Sequence, residues 1–394
     1  MDKQVIDQLL SEMIDSGDGI SDLLFTQGKP PLVEAHGCLI EYQVKTTTPV
    51  FGAAEIDELA DHIINGDERL RQDLLTSGSC DCSYALRDIA RFRVNIFRQN
   101  SRRAIVMRRL QSEIPTLDKL GLPPVFQEII KERTGLVFVT GATGSGKTTT
   151  LAAILNELNR TQQIHILTLE DPIEFLHPHR RAVFHQRELG TDFPDFARGL
   201  RAALRQAPKV ILVGEIRDRE TMEIALTASE TGHLVFSTLH TINAGQTINR
   251  VLGMFNKDEE QLLRQRLSDT LRYVVSQRLV AKIGGGRLLL TEVMGSSMRT
   301  RETLVYGESE NRSFQEIIEA GDTLGWHSFD QSLLKAYEAD LIAEDTTMTF
   351  CAHKNKMRRD LDMLKKLRGK TYEAPSGLNI QAPLKPLAPV SSSI

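Results

Sequence analysis

The stretch that most limits what this chain can fold into is Gly141-Ala142-Thr143-Gly144-Ser145-Gly146-Lys147-Thr148. It follows an apolar run, Leu136-Val137-Phe138-Val139-Thr140, and leads into Thr149-Thr150-Leu151-Ala152-Ala153-Ile154-Leu155. Strand, glycine-rich loop and helix in that order aim backbone N–H groups, and the positive end of the helix, at phosphate oxygens. Lys147 is spaced to reach the β- and γ-phosphates, and the Thr148 hydroxyl to hold Mg²⁺. The predicted nucleotide-binding set is therefore Gly141, Thr143, Gly144, Ser145, Gly146, Lys147, Thr148 and Thr149. A glycine-rich turn that binds nothing does not account for the full G-x-x-x-x-G-K-T spacing and both flanks.

At 394 residues the chain has room for two domains, because single cores seldom grow past about 250–300 residues. A net charge of −4 gives no reason to expect general nucleic-acid binding. No apolar run approaches the roughly 18 residues of a membrane span, and the N-terminus lacks a signal peptide's apolar core. A cytoplasmic protein is expected. The cysteines, Cys38, Cys80, Cys82 and Cys351, form no paired C-x-x-C motif, so reduced thiols and no structural metal are expected.

Residues 1–20 read as an amphipathic helix, followed across Ser21–Phe25 and Gly28–Ile40 by two short strands joined by a Gly/Pro turn. A helix near Ala54–Asn65 precedes strand-like stretches at Ser79–Leu86, Ala90–Gln99 and Ile105–Leu110. This pattern predicts a small α+β domain over residues 1–112, then a linker over 113–124. In Arg91-Phe92-Arg93-Val94-Asn95-Ile96, the apolar residues share one strand face and the polar ones the other. The arginines there and at 98–109 are either a solvated face or include fingers that reach a phosphate from outside the loop-bearing domain.

Beyond the glycine-rich loop, Ile164–Leu169, Val210–Val213 and Leu234–Thr238 are short apolar runs flanked by helical segments, as buried parallel strands are. Residues 125–370 are predicted to form a doubly wound α/β core with a helical C-terminal part. A helix is expected over 258–280, a strand over Arg287–Val293, and capping boxes at Ser313-x-x-Glu316 and Ser328-x-x-Gln331. The Pro- and Ser-rich tail, 371–394, is expected to be disordered.

Hydrolysis needs acid groups beside the phosphate cradle. Glu215 follows the Val210–Val213 strand, where a carboxylate can act on Mg²⁺ through its water shell. Glu170, Asp171 and Glu174 cluster after the Ile164–Leu169 strand, on the ligand side of an open α/β sheet. Glu174 is the candidate base, with Glu170 and Asp171 in support, and the residues alone leave the choice among the three open. His233 and His240 bracket the Leu234–Thr238 strand, and either imidazole is a candidate sensor of the γ-phosphate.

Taken together, these stretches resemble the secretion-ATPase superfamily, and most closely its pilus-retraction branch, the PilT/PilU-type twitching-motility ATPases. The likeness runs from about Ser21 to Leu279. It rests on Gly28-x-Pro30-Pro31, Arg91–Asn95, the Walker A loop, an "Asp box" at Leu169–Phe175, a Walker B segment at Ile211–Asp218 that includes Arg217, and a "His box" at Thr231–Thr241. The resemblance implies a PAS-like N-terminal domain, a RecA-like P-loop ATPase domain and a homohexamer that hydrolyses ATP with Mg²⁺. It implies Glu174 as the water-activating carboxylate, Glu215 as the Walker B glutamate and His240 as the γ-phosphate sensor. Arg93 and Arg108 match the arginines that approach ATP from the N-terminal domain.

It further implies a motor for type IV pilus retraction, peripherally associated with the inner membrane at the pilus base. There it would act on a platform protein, with related retraction or extension ATPases as further partners and no nucleic acid. Extension-type members carry paired C-x-x-C motifs and an extra N-terminal domain, and neither is expected of this chain. Where retraction members often carry an Ala-Ile-Arg-rich helix, this chain reads Val305-Tyr306-Gly307-Glu308-Ser309-Glu310-Asn311. The alternatives are an accessory PilU-like role, a type II/IV secretion or conjugation ATPase and, behind these, a nucleic-acid translocase.

Overall fold

The computed structural model describes residues 3–43, 50–87, 89–110, 113–310 and 312–368. The expected domain boundary at 112, Asn311 and the expected disordered tail at 371–394 lie outside the described residues. One compact unit comprises residues 1–280 and 287–328, and it holds two sheets.

The first sheet contains β1 (Ile20–Phe25), β2 (Leu32–Ala35), β3 (Cys38–Glu41), β4 (Ser79–Leu86), β5 (Ala90–Gln99) and β6 (Arg102–Arg109) in the order β3-β2-β1-β6-β5-β4. Its pairs are antiparallel. Alternation in β5 buries Phe92, Val94 and Ile96 against α1 (Lys3–Ile14) and α2 (Ala53–Ile64), in one cluster with Leu10, Met13 and Leu59. The opposite face of β5 carries Arg91, Arg93 and Asn95. A third helix, α3 (Glu68–Thr76), has no counterpart in the sequence-based expectation because only Leu70 and Leu74 are buried. Its signal lay in the cap: the Asp67 carboxylate accepts the Arg69 and Leu70 N–H groups.

The second sheet follows α4 (Val125–Lys131). It comprises β7 (Gly135–Thr140), β8 (His165–Glu170), β9 (Val183–Glu188), β10 (Val210–Val213), β11 (Leu234–Leu239), β12 (Leu271–Ala281) and β13 (Arg287–Gly295), in the order β13-β12-β7-β11-β10-β8-β9. The pairs from β12 across to β9 are parallel. Helices α5 (Lys147–Thr161), α6 (Phe196–Ala203), α7 (Arg219–Glu230), α8 (Ala244–Leu252), α9 (Glu260–Thr270), α10 (Met298–Tyr306) and α11 (Phe314–Glu319) surround it. Every residue of β7, β10 and β11 is buried, since two apolar clusters cover the two faces of the sheet.

Two expectations need correction. The helix expected over 258–280 ends at Thr270, and Leu271–Ala281 instead runs as a strand parallel to β7. Leu263 and Leu267 keep helical spacing and are buried, but Leu262 is 67% exposed, so the apparent leucine face is not continuous. Tyr273, Val274 and Val275 are aromatic or β-branched and gain a ladder partner in β7. Strand β9, with its polar sequence Val183-Phe184-His185-Gln186-Arg187-Glu188, was not expected at all. It lies at the sheet edge, where burial leaves no apolar run to read.

A second compact unit joins residues 281–286 to residues 329–368 and contains α12 (Phe329–Glu338), α13 (Glu344–Phe350) and α14 (Lys354–Leu367). Within it, the Asp330 carboxylate accepts the Ala352 and His353 N–H groups at 2.8 and 3.0 Å. The Ser313–Glu316 capping box forms as expected at the start of α11. The cysteines are free thiols, and burial pushes the Cys82 thiol up to about 12. Among the described residues no helix is long and apolar enough to cross a membrane.

Candidate functional site

The glycine-rich loop turns between β7 and α5 on conformations that side chains resist. Gly141 has φ 147°, and a Cβ there would meet Ser145 Oγ at 2.5 Å and the Gln277 carbonyl oxygen at 2.6 Å. The loop is backed by β12: Thr140 donates its hydroxyl hydrogen to Ser276 Oγ at 3.0 Å, and Gln277 Nε2 donates to Thr150 Oγ1 at 2.7 Å. The Ser145 hydroxyl is buried there without a hydrogen-bond partner.

Lys147 is the first residue of α5, and its ammonium folds back on the loop, donating to the carbonyls of Gly141 at 2.9 Å and Ala142 at 3.1 Å. Burial lowers its pKa, an effect the charges of Glu215 and Glu174 oppose. Lys147, Thr148, Thr143 and Gly144 line a cavity of about 230 Å³. Gly141, Ser145, Gly146 and Thr149 complete the turn behind them.

The carboxyl ends of three parallel strands supply the acid groups of the same cavity. Glu170 ends β8, Asp171 and Glu174 follow it, Glu215 follows β10 and His240 follows β11. Parallel register brings these ends level, because Leu169 pairs with Val213, and Val213 with Ser237. Glu174 shares a hydrogen bond with the Thr148 hydroxyl. Burial raises its pKa, while Thr148, Arg93 and Lys147 pull it down. Glu215 pairs with the Arg217 guanidinium, and its other oxygen lies 3.6 Å from His240 Nε2. The Thr238 hydroxyl donates to the Gly214 carbonyl at 2.7 Å, tying the Glu215 loop to β11.

Glu170 is buried, and desolvation lifts its carboxyl to about 7 despite hydrogen bonds from the Thr168 hydroxyl at 2.5 Å and Gln186 Nε2 at 3.0 Å. Gln186, on the unexpected strand β9, also donates to the Phe175 carbonyl at 2.8 Å and accepts the His177 N–H at 2.8 Å. It thus holds both sides of the acidic loop. A lone polar residue in an unrecognised strand gave no sequence signal for this.

Arg93 falls where expected, whereas Arg108 and His233 do not. Arg93, on β5 of the first sheet, lines the cavity opposite the loop. Arg108 is its direct cross-strand partner, yet it is not among the lining residues; its Nε donates to the buried Asp22 carboxylate at 2.8 Å and its side chain is 69% exposed. His233 stands at the start of β11, a strand length of about 20 Å from His240. There its Nδ1 sits 3.0 Å from the Ala228 carbonyl, at the end of α7. A six-residue parallel strand can present only one end to a site, which separates two histidines that the sequence makes look equivalent.

The cavity therefore joins an ammonium, threonine hydroxyls, four carboxyl groups and an imidazole from the parallel-sheet side with a guanidinium from the other sheet. A triphosphate fits that charge arrangement, with cations and loop N–H groups for its oxygens and carboxylates for water. Thr148 and Glu215 are hard oxygen donors of the kind Mg²⁺ takes, beside the phosphate cradle.

Comparison with known proteins identifies relatives of the whole chain. Residues 77–321 match the family described as "Type II/IV secretion system protein". The chain is 40% identical over 327 residues to the type IV pilus retraction ATPase PilT of Pseudomonas aeruginosa, covering 83% of this chain and 93% of that relative. It is 39% identical over 318 residues to a twitching motility protein of Neisseria gonorrhoeae, covering 80% of this chain and 82% of that one. A crystal structure of the pilus retraction motor PilT with bound ADP superposes with a TM-score of 0.80 at 38% identity, covering 90% of this chain and 99% of that one.

Proposed function

The chain belongs to the type II/IV secretion system protein family, and from that membership we propose that it is the ATP-hydrolysing motor of type IV pilus retraction. The observation that carries this reading is the single cavity where Lys147, Thr148, Glu174, Glu215 and His240 meet Arg93. It occurs in a chain that aligns with 93% of a pilus retraction ATPase.

ATP binds with its β- and γ-phosphates on the loop N–H groups and Lys147, whose ammonium leaves the Gly141 and Ala142 carbonyls for phosphate oxygens. Thr148 and Glu215 would hold Mg²⁺, which would supply neutralisation of the phosphate charge. Glu174 orients and deprotonates the attacking water, a role its raised pKa suits. Arg93 meets the charge that builds on the transferred phosphoryl group. His240, beside Glu215, registers the γ-phosphate, while Glu170, Asp171 and Arg217 hold the carboxylates in place and His233 caps α7.

The N-terminal domain, residues 1–112, is joined by the linker 113–124 to the ATPase domain, 125–370, and hydrolysis changes how tightly the two clamp. Six copies form a ring in which Arg108, turned away from its own chain's cavity, serves the next copy. The ring sits in the cytoplasm on the inner membrane at the pilus base and drives a platform protein.

The test is Mg²⁺-dependent phosphate release by wild type and by Glu215→Gln and Glu174→Gln. Each variant is expected to bind ATP and to lose about 10²–10⁴-fold in turnover. Wild-type turnover in both variants would remove these carboxylates from the mechanism. Cells lacking the protein are expected to be hyperpiliated and non-motile, whereas bald cells would indicate assembly.

A further inference from the structure

We propose that Glu188 is a positioning residue for hydrolysis: its carboxylate fastens the strand that carries Arg93 to the loop that carries Glu174. The inference rests on the hydrolytic reading above. Glu188 ends β9, opposite Glu170 in the parallel register, and is 7% exposed. One carboxylate oxygen accepts the Ser83 hydroxyl at 2.7 Å. The other accepts the Ile173 N–H at 3.2 Å and the Arg91 Nη2 hydrogen at 3.5 Å.

Each of these partners adjoins a group of the site. Ser83, on β4, is the cross-strand partner of Arg93. Arg91 lies two residues from Arg93 on the same face of β5. Ile173 is the residue before Glu174. A single buried carboxylate thus takes donors from both sheets, beside the guanidinium on one and beside the water-activating acid on the other.

Packing at this junction is incomplete. A cavity of about 210 Å³ lies at the junction, bordered by Asp81, Ser83, Arg93, Asp171 and Glu188. It shares Arg93, Asp171 and Pro172 with the nucleotide cavity. Strand and loop therefore have room to shift, and directional hydrogen bonds to a desolvated charge are what hold their spacing. Removing that charge would strand Arg91, whose Nε is already buried without a partner.

The experiment compares full-length wild type with Glu188→Ala, Ser83→Ala, Arg93→Ala and the Glu188→Ala/Arg93→Ala double variant. Turnover, ADP affinity and amide hydrogen exchange are the readouts. Glu188→Ala is expected to lower kcat about tenfold with ADP affinity within about twofold, and to speed exchange over residues 172–175. The double variant is expected to be no slower than the slower single variant, because a misplaced Arg93 has little left to contribute. Unchanged kcat in Glu188→Ala, or losses that multiply in the double variant, would overturn the proposal. Should Glu188→Ala not fold, Ser83→Ala is read instead, with kcat expected to fall about threefold and no change counting against the tether. A wild type that does not hydrolyse ATP defeats the functional reading, and exchange over 172–175 then decides the tether alone: faster supports it, unchanged overturns it.

Discussion

The two sheets treat their site residues in opposite ways. At the carboxyl ends of the parallel sheet, Lys147, Thr148, Glu174, Glu215 and His240 all line one cavity. On the antiparallel sheet, Arg93 and Arg108 are direct cross-strand partners, yet only Arg93 lines it, while Arg108 is drawn to Asp22. In the parallel sheet, each residue sits within a few positions of a strand end, and the ladder register brings those ends level. On the antiparallel sheet, a side chain reaches the cavity only if docking of one sheet against the other points it there. Adjacent placement on a strand pair therefore does not imply a shared site.

Three experiments bear on that contrast. The largest effect is expected on the parallel side, from Gly141→Ala. The added methyl would meet Ser145 Oγ at 2.5 Å and the Gln277 carbonyl at 2.6 Å, at a φ of 147°. Thermal or denaturant unfolding should show a loss of about 2–4 kcal/mol, accompanied by loss of ATP binding. Normal stability and binding would mean that the loop is not held as rigidly as β12 suggests.

The second sets Arg93 against Arg108 by subunit mixing. Arg93→Ala and Arg108→Ala are each expected to lower ATP turnover by at least about tenfold. Mixing each with the inactive Lys147→Ala variant then separates them. Arg108→Ala should regain turnover, because a Lys147→Ala neighbour still supplies Arg108, whereas Arg93→Ala should regain none. Recovery in both mixtures, or in neither, would erase the distinction.

The smallest effect concerns the buried Glu170. Its carboxyl is lifted from 4.5 to about 7, so the folded chain holds a proton that the unfolded chain releases between those values. The stabilisation from that proton is complete below pH 4.5 and is lost as pH rises through about 7. Glu170→Gln, which keeps an acceptor for Thr168 and Gln186, should raise stability at pH 8 by about 1–2 kcal/mol and change it little at pH 4. An equal effect at both pH values would show that ionisation of Glu170 is not the cause.

Legibility followed the same division. The Lys147 loop, the Glu170–Glu174 cluster and Glu215 could be read because apolar strands and punctuating glycines mark strand ends within a few residues. Strand β12 is hidden in the sequence because Leu263, Leu267, Leu271, Val274 and Val275 keep a helical spacing across a real helix–strand boundary. Only the open ladder of β7 makes the extended form of residues 271–281 the better one. Strand β9, with Gln186 and Glu188, carried no apolar pattern because one of its sides has no neighbouring strand.

By itself, the order of residues determined the phosphate loop, the carboxylates near it and the parallel sheet that aligns them. Local backbone preference and apolar periodicity act over a few neighbours and leave a trace in any window of the chain. Tertiary structure alone decided that Arg93 rather than Arg108 meets this nucleotide cavity, that His240 rather than His233 stands beside Glu215, and that Glu188 joins the sheets. Those outcomes depend on how side chains more than 80 residues apart are brought within 4 Å, and on the desolvation that makes each such polar contact directional.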